Sequence, residues 1–233
     1  MQNLIVIYDK DEKDQARDSY IRLIKKEIPT AIIYDRRERN NEGRFEKILI
    51  LKPMKDEYYK PLTKTLEMLP NLDIEGQFAN KLTITAEAIL WTIYSEQGND
   101  LRGKTVVIIN QSDVLGGPLA KELIDLGANV ISLNSSYPCI DNLLTMTDVD
   151  VLVSASGQGD FEMDRELTRM IDVKIDLSND LEDPIKITSV PTIEVLKDRL
   201  KNEWDIKDII YYWRILLFIQ VFRKEVMRWK NES

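Results

Sequence analysis

The sequence predicts an α/β protein of one large or two small domains, its second stretch built on a parallel sheet, with C-terminal helices. Three observations predict it. Short apolar, β-branched runs alternate with segments of helical period, the pattern of parallel strands joined by right-handed helical crossovers. The strand Thr105 to Ile109 runs into a polar turn and then into a helix that begins near two glycines. A long helical segment, residues 83 to 97, separates that second α/β stretch from a first one.

Leu4 to Tyr8 is a short apolar run followed by charge, the signature of a buried strand. Residues 14 to 27 form a helix with Ala16, Tyr20, Leu23 and Ile24 on one face, ended by Pro29. Thr30 to Tyr34 and Phe45 to Leu51 are strands. The charged stretch Asp35 to Arg44 between them is a solvated loop or hides a short helix. Residues 58 to 69 are helical. In the segment 83 to 97, Ala86, Ile89, Leu90 and Ile93 recur at helical spacing, and Gly98-Asn99-Asp100 makes the turn that follows. Next come a strand at 105 to 109, a helix from Leu115 to Leu126 stopped by Gly127, and a strand from Asn129 to Leu133. A short helix from Asp141 to Thr145 and strands Val149 to Ser154 and Val173 to Leu177 complete the second stretch. Residues 191 to 202 and 205 to 230 are amphipathic helices. The apolar run from Ile209 to Ile219 is too short, and too interrupted by Arg214, Gln220 and Arg223, to span a membrane.

Composition narrows the chemistry. The 233 residues carry a net charge of −8 and no strongly basic block, which disfavours nucleic acid and anionic membrane as partners. With no histidine and a single cysteine, Cys139, the chain has no Ser–His or Cys–His catalysis, no intrachain disulfide and no thiolate zinc site. Acid–base work falls to Asp, Glu, Lys or Tyr. The N-terminus leads directly into an apolar strand without a signal-peptide pattern, so the expected compartment is cytoplasmic.

The segment with most information is Asp100 to Pro118. Its strand–turn–helix would direct backbone N–H groups and a helix N-terminus at an anion, although the G-x-G-x-x-G pattern is absent. Asp100 to Lys104 followed by Asn110 to Pro118 resembles the D-L-x-G-K strand and G-R-S-x-I-V-G-x-P turn of the methylenetetrahydrofolate dehydrogenase/cyclohydrolase family, the FolD type. Asn134-Ser135 stands where that family has H-S. Asp148 to Gly157 resembles A-D-I-L-V-x-A-x-G, Val173 to Asp176 resembles V-I-D, and Ile187 to Pro191 resembles I-T-P-V-P. In the first half, Ile48 to Met54 resembles I-L-V-Q-L-P-L, Asp73 to Gly76 resembles D-V-D-G, and Ile84 to Ile89 resembles C-T-P-x-G-I.

The resemblance implies a folate/catalytic-type lobe over residues 1–90, joined by C-terminal helices 191–233, and a Rossmann-type NAD(P)-binding lobe over 91–190. It implies a tetrahydrofolate derivative as ligand and a homodimer. The catalytic positions it carries over are Tyr20 and Glu75. The family's lysine and glutamine positions hold Ile24 and Leu51, which cannot perform general acid–base work. The cofactor positions are Thr85, Gln111, Ser112, Val114, Gly116, Ser135, Ala155, Ser156, Gly157 and Thr188. Gln111 replaces the arginine that meets the 2′-phosphate of NADP, which favours NAD over NADP. Asn110 replaces the first glycine of the turn, and Thr192 to Val195 replace a glycine-rich segment near the nicotinamide. Two functions follow: an NAD(P)-dependent methylenetetrahydrofolate dehydrogenase without cyclohydrolase activity, or a catalytically inactive homologue kept for binding or association. Tyr20 is either a folate-stacking residue or a boundary aromatic. Glu75 is either a pterin contact or a turn residue. The helix at 205 to 230 either packs on the first lobe or forms a dimer interface.

Overall fold

The computed structural model describes residues 3–37, 46–79, 81–157, 161–187 and 189–201. The helix expected at 205 to 230, the tip of the charged loop after Asp35, and Thr188 lie outside the described residues.

The first sheet has three parallel strands in the order β2-β1-β3: β1 (Leu4–Tyr8), β2 (Ile32–Asp35) and β3 (Lys47–Ile50). An isolated bridge from Ile48 to Asp73 extends it by one position. Helix α1 (Gln15–Glu27) connects β1 to β2, capped by the Asp14 carboxylate, which accepts from Arg17 N. Helix α2 (Asp56–Met68) follows β3, and a single 3-10 turn, Pro70–Leu72, leads back to the bridge.

Helix α3 (Ile84–Gln97) joins the two sheets. It is apolar around much of its circumference because it serves two cores: Ile84 and Ala88 pack with the first, Ala86, Ile89, Leu90 and Ile93 with the second. Gly98, at φ 79°, ends it.

The second sheet is fully parallel with five strands: β4 (Thr105–Ile109), β5 (Asn129–Leu133), β6 (Val151–Ser154), β7 (Val173–Asp176) and β8 (Ile185–Lys186). Their order, β5-β4-β6-β7-β8, reverses direction between β4 and β6. Val106 and Ile108 face one core and Val107 and Ile109 another, which is why β4 reads as a continuous apolar run rather than an alternating one. Helices α4 (Gly116–Asp125), α5 (Ile140–Met146) and α6 (Arg165–Thr168) supply the crossovers. The short α6 and two-residue β8 carry too little periodicity to be read from sequence.

Helix α7 (Ser189–Arg199) begins two residues earlier than its sequence pattern indicates, placing Pro191 in its first turn, where the missing N–H costs nothing. It packs against α1 and α3. Ile193, Val195, Leu196 and Leu200 complete the core formed by Leu4, Val6, Ile24, Ile28 and Leu49. No helix among the described residues is long and apolar enough to cross a membrane.

Candidate functional site

The first group of candidate residues gathers where α1, α7 and the 73–76 turn meet. Tyr20, on α1, is half-buried against the first core. Its phenol shares a hydrogen bond with the Thr192 side chain on α7 and feels the charges of Glu75 and Arg199. Burial drives its pKa up, the nearby Glu75 adds to that, and Thr192 and Arg199 act against it. Thr192 sits where the family's glycine-rich segment would begin, so the replacement segment lies in the first two turns of a helix, with Thr192 meeting Tyr20.

Glu75 keeps part of its surface toward solvent, yet the protein around it is dense enough that desolvation dominates. Burial pushes its carboxyl up to about 7, against the opposing pull of Arg199 and of a hydrogen bond from Ile84 N to Oε1 at 3.2 Å. That bond places the carboxyl at the N-terminus of α3. Gly76 follows at φ 89°. A Cβ there would fall 2.7 Å from Leu82 O and 2.9 Å from Arg199 Nη1, so only glycine closes the turn this tightly.

Arg199 was not visible from the sequence as a site residue. It donates from Nη1 to Ile74 O at 2.7 Å and to Glu75 O at 2.8 Å, from Nη2 to Leu82 O at 2.6 Å, and from Nε to Glu87 Oε2 at 3.0 Å. It thereby fixes the turn that carries Glu75. The only advance sign was a basic residue in the last turn of an amphipathic helix, which is ordinarily solvated.

The positions of the family's lysine and glutamine are not at this junction as polar groups. Ile24 is 0% exposed and Leu51 9% exposed, both within the first core. Lys25, one residue on, points to solvent, as the ~100° step between neighbouring helical residues requires.

The second group lies at the carboxyl ends of β4, β5 and β6. Asn110 ends β4. Its Oδ1 accepts from Ser112 N at 2.9 Å, Ser112 Oγ at 2.8 Å and Gly116 N at 3.0 Å, while its Nδ2 donates to Ala155 O at 2.8 Å. Gln111 is exposed but anchored, its Nε2 donating to Ser132 O at 2.9 Å. Val114 O accepts from Thr83 Oγ1 at 2.7 Å, tying the turn to the start of α3. Thr85 lies half-buried in the first turn of α3, and Ser135 half-buried in the turn after β5. Beyond β6, the buried Asp180 holds the next loop. Its Oδ2 accepts from Ser154 Oγ at 2.6 Å and Ser156 N at 3.2 Å, and its Oδ1 from Ser156 Oγ at 2.9 Å. Gly157, at φ 67°, donates from its N–H to Ser178 Oγ at 3.1 Å. Among the described residues no cluster of acids or cysteine could hold a metal ion.

The fold and the two junctions define a two-lobed α/β protein with a dinucleotide-type second sheet. Residues 83–187 match the model of the tetrahydrofolate dehydrogenase/cyclohydrolase NAD(P)-binding domain. The chain is 28% identical over 186 residues to the bifunctional protein FolD of Macrococcus caseolyticus, covering 74% of this chain and 63% of the relative. It is 26% identical over 181 residues to that of Nitrosopumilus maritimus, covering 73% and 58%. The chain thus spans about three fifths of the length of these relatives. Among solved structures, the FolD methylenetetrahydrofolate dehydrogenase/cyclohydrolase of Campylobacter jejuni superimposes with a TM-score of 0.64 at 18% identity, covering 85% of this chain and 86% of that one. The NAD-dependent 5,10-methylenetetrahydrofolate dehydrogenase of Saccharomyces cerevisiae also gives 0.64, at 17% identity and the same coverage. These two likenesses show the fold. Together these matches support a divergent FolD-like chain, its residues 83–187 matching the family's NAD(P)-binding domain.

Proposed function

We propose that this chain is a FolD-like protein of one-carbon tetrahydrofolate metabolism that has lost the cyclohydrolase reaction and keeps the first-lobe site for binding a tetrahydrofolate derivative. One observation carries the reading: Tyr20 and Glu75 share the α1–α7 junction, while Ile24 and Leu51 are sealed into the core. A carboxyl with its pKa near 7 suits the amide and amino edge of a pterin, because it can accept or donate a hydrogen bond near neutral pH. Neither the ionisable lysine nor the polar glutamine that the family's cyclohydrolase chemistry uses stands at positions 24 and 51. Residues 1–90 with 191–233 are the folate-binding half in this reading, and 91–190 the nucleotide-type half. The protein works in the cytoplasm as a homodimer.

Titration calorimetry with tetrahydrofolate, alongside a methenyltetrahydrofolate hydrolysis assay, tests it. The expected result is binding that weakens about tenfold in Glu75→Gln, with no hydrolysis above the uncatalysed rate. Hydrolysis that depends on the protein overturns it.

A second reading, an NAD-preferring methylenetetrahydrofolate dehydrogenase, is favoured by the retained turn Ser112 to Pro118 and by Ala155-Ser156-Gly157. In that reading the neutral Gln111 leaves the 2′-phosphate of NADP without a cation, and the cofactor supplies the hydride chemistry.

A further inference from the structure

The family's dinucleotide would enter at the carboxyl ends of β4 and β6, where the strand order reverses, with its pyrophosphate at the N-terminus of α4. That arrangement depends on backbone donors left free in the turn. Here those of Ser112, Leu115, Gly116 and Gly117 are engaged. Gly116 N and Ser112 N both donate to Asn110 Oδ1. Leu115 N and Gly117 N donate to Ser112 O at 3.3 and 3.0 Å. Position 118 is proline and has no N–H. Leu119 N is already within the helical ladder, bonded to Leu115 O at 3.0 Å. The hydroxyl of Ser112, a further donor to an anion, is also given to Asn110.

The other half of the Asn110 amide bridges the reversal itself, from β4 to the carbonyl of Ala155 just beyond β6. The backbone of Gly116 passes close against Asn110. A Cβ at Gly116 would lie 1.8 Å from Asn110 O and 2.8 Å from Asn110 Oδ1. Across the crevice, the donors of the second loop are taken in the same manner, by the Asp180 carboxylate. One internal amide and one internal carboxylate thus occupy both loops of the site, and the dinucleotide does not fit the turn as built.

We infer that the nucleotide crevice of this chain is closed from within, Asn110 standing as a resident ligand in the place of the pyrophosphate, so that neither NAD nor NADP binds at the β4–α4 turn. This decides against the second reading above and is independent of folate binding by the first lobe. A dinucleotide would have to displace Asn110 Oδ1 from three donors, a penalty on the order of 100-fold in affinity.

The test uses the full chain and measures binding of NAD and of NADP by calorimetry, with amide NMR shifts of Ser112 and Gly116 as the local readout. The unsubstituted protein is expected to show no heat and no shift of these two amides at about 1 mM dinucleotide, while Asn110→Gly, which removes the resident oxygen, is expected to bind at least tenfold more tightly than that limit. Asn110→Ala serves if the glycine variant does not fold. Micromolar binding by the unsubstituted protein with shifts at Ser112 and Gly116 overturns the inference. So does the absence of any gain in a folded Asn110 variant. Tetrahydrofolate binding, unchanged in either case, separates this result from the fate of the first-lobe reading.

Discussion

Arg199, in the last turn of α7, is paired with Glu87 in the first turn of α3, although 112 residues separate them in the chain. The guanidinium is 11% exposed, and its other donors satisfy three backbone carbonyls. Replacing it with methionine keeps much of the volume but strands those acceptors and the Glu87 carboxylate. Arg199→Met is expected to destabilise the fold by about 2–4 kcal/mol, read from urea unfolding. A loss below about 0.5 kcal/mol would mean the pair is an ordinary surface contact.

Glu75 makes stability depend on pH in the direction opposite to most carboxylates. Burial raises its pKa from 4.5 to about 7 in the folded protein. Between those values the folded state binds the proton that the unfolded chain has lost, so stability falls as pH rises through that window. The full shift corresponds to roughly 3 kcal/mol; discounted for partial exposure, about 2 kcal/mol is expected to disappear between pH 5 and pH 8. In Glu75→Gln that portion of the slope should vanish. An unchanged pH profile of the thermal midpoint in the variant would assign the dependence elsewhere.

Restoring a lysine at position 24 is expected to harm the protein rather than revive it. Ile24 is 0% exposed among Leu4, Ile28 and Leu49. Ile24→Lys buries an unpaired amine and should cost more than about 3 kcal/mol, against about 1 kcal/mol for Ile24→Val. Chemical denaturation of both variants measures the difference. Equal stability would place residue 24 at the cleft instead of in the core.

Two glycine substitutions should separate crowding from backbone strain. Gly116→Ala drives a methyl into Asn110 O, 1.8 Å away, and is expected to cost about 3 kcal/mol or more. Gly98→Ala meets nothing within 4 Å and carries only the backbone penalty of φ 79° with ψ 179°, about 1–3 kcal/mol. Circular-dichroism melts compare them directly. Similar losses would show that the α4 turn has room to relax.

The elements most legible in the sequence were those whose residues alone determine them. The β-branched run at β4 and the strand β5 lie where their apolar patterns put them, and Asp14 and Gly98 mark helix ends through local hydrogen bonding and backbone angle. The site was legible by halves. Ile24 and Leu51 stood out as apolar residues where the resemblance implies a lysine and a glutamine, and Asn110 as the replacement of a turn glycine. What Asn110 does could not be read, because its oxygen meets Gly116 through the path of the backbone and its nitrogen meets Ala155 across 45 residues. Thr192, Asp180 and Arg199 were missed for the same reason: each acts on a segment far away in sequence, and no local pattern encodes such a meeting.

The packing of α7 orders the making of this protein. The core that holds Leu4, Ile24 and Leu49 also needs Ile193, Leu196 and Leu200. As the chain leaves the ribosome, its first three strands therefore emerge long before the helix that covers them, and the whole second sheet is synthesised in between. Through that interval an incomplete apolar face is open to solvent, the kind of surface that invites chaperone capture or self-association. A nascent chain arrested near residue 187 would present that face with its missing helix not yet made.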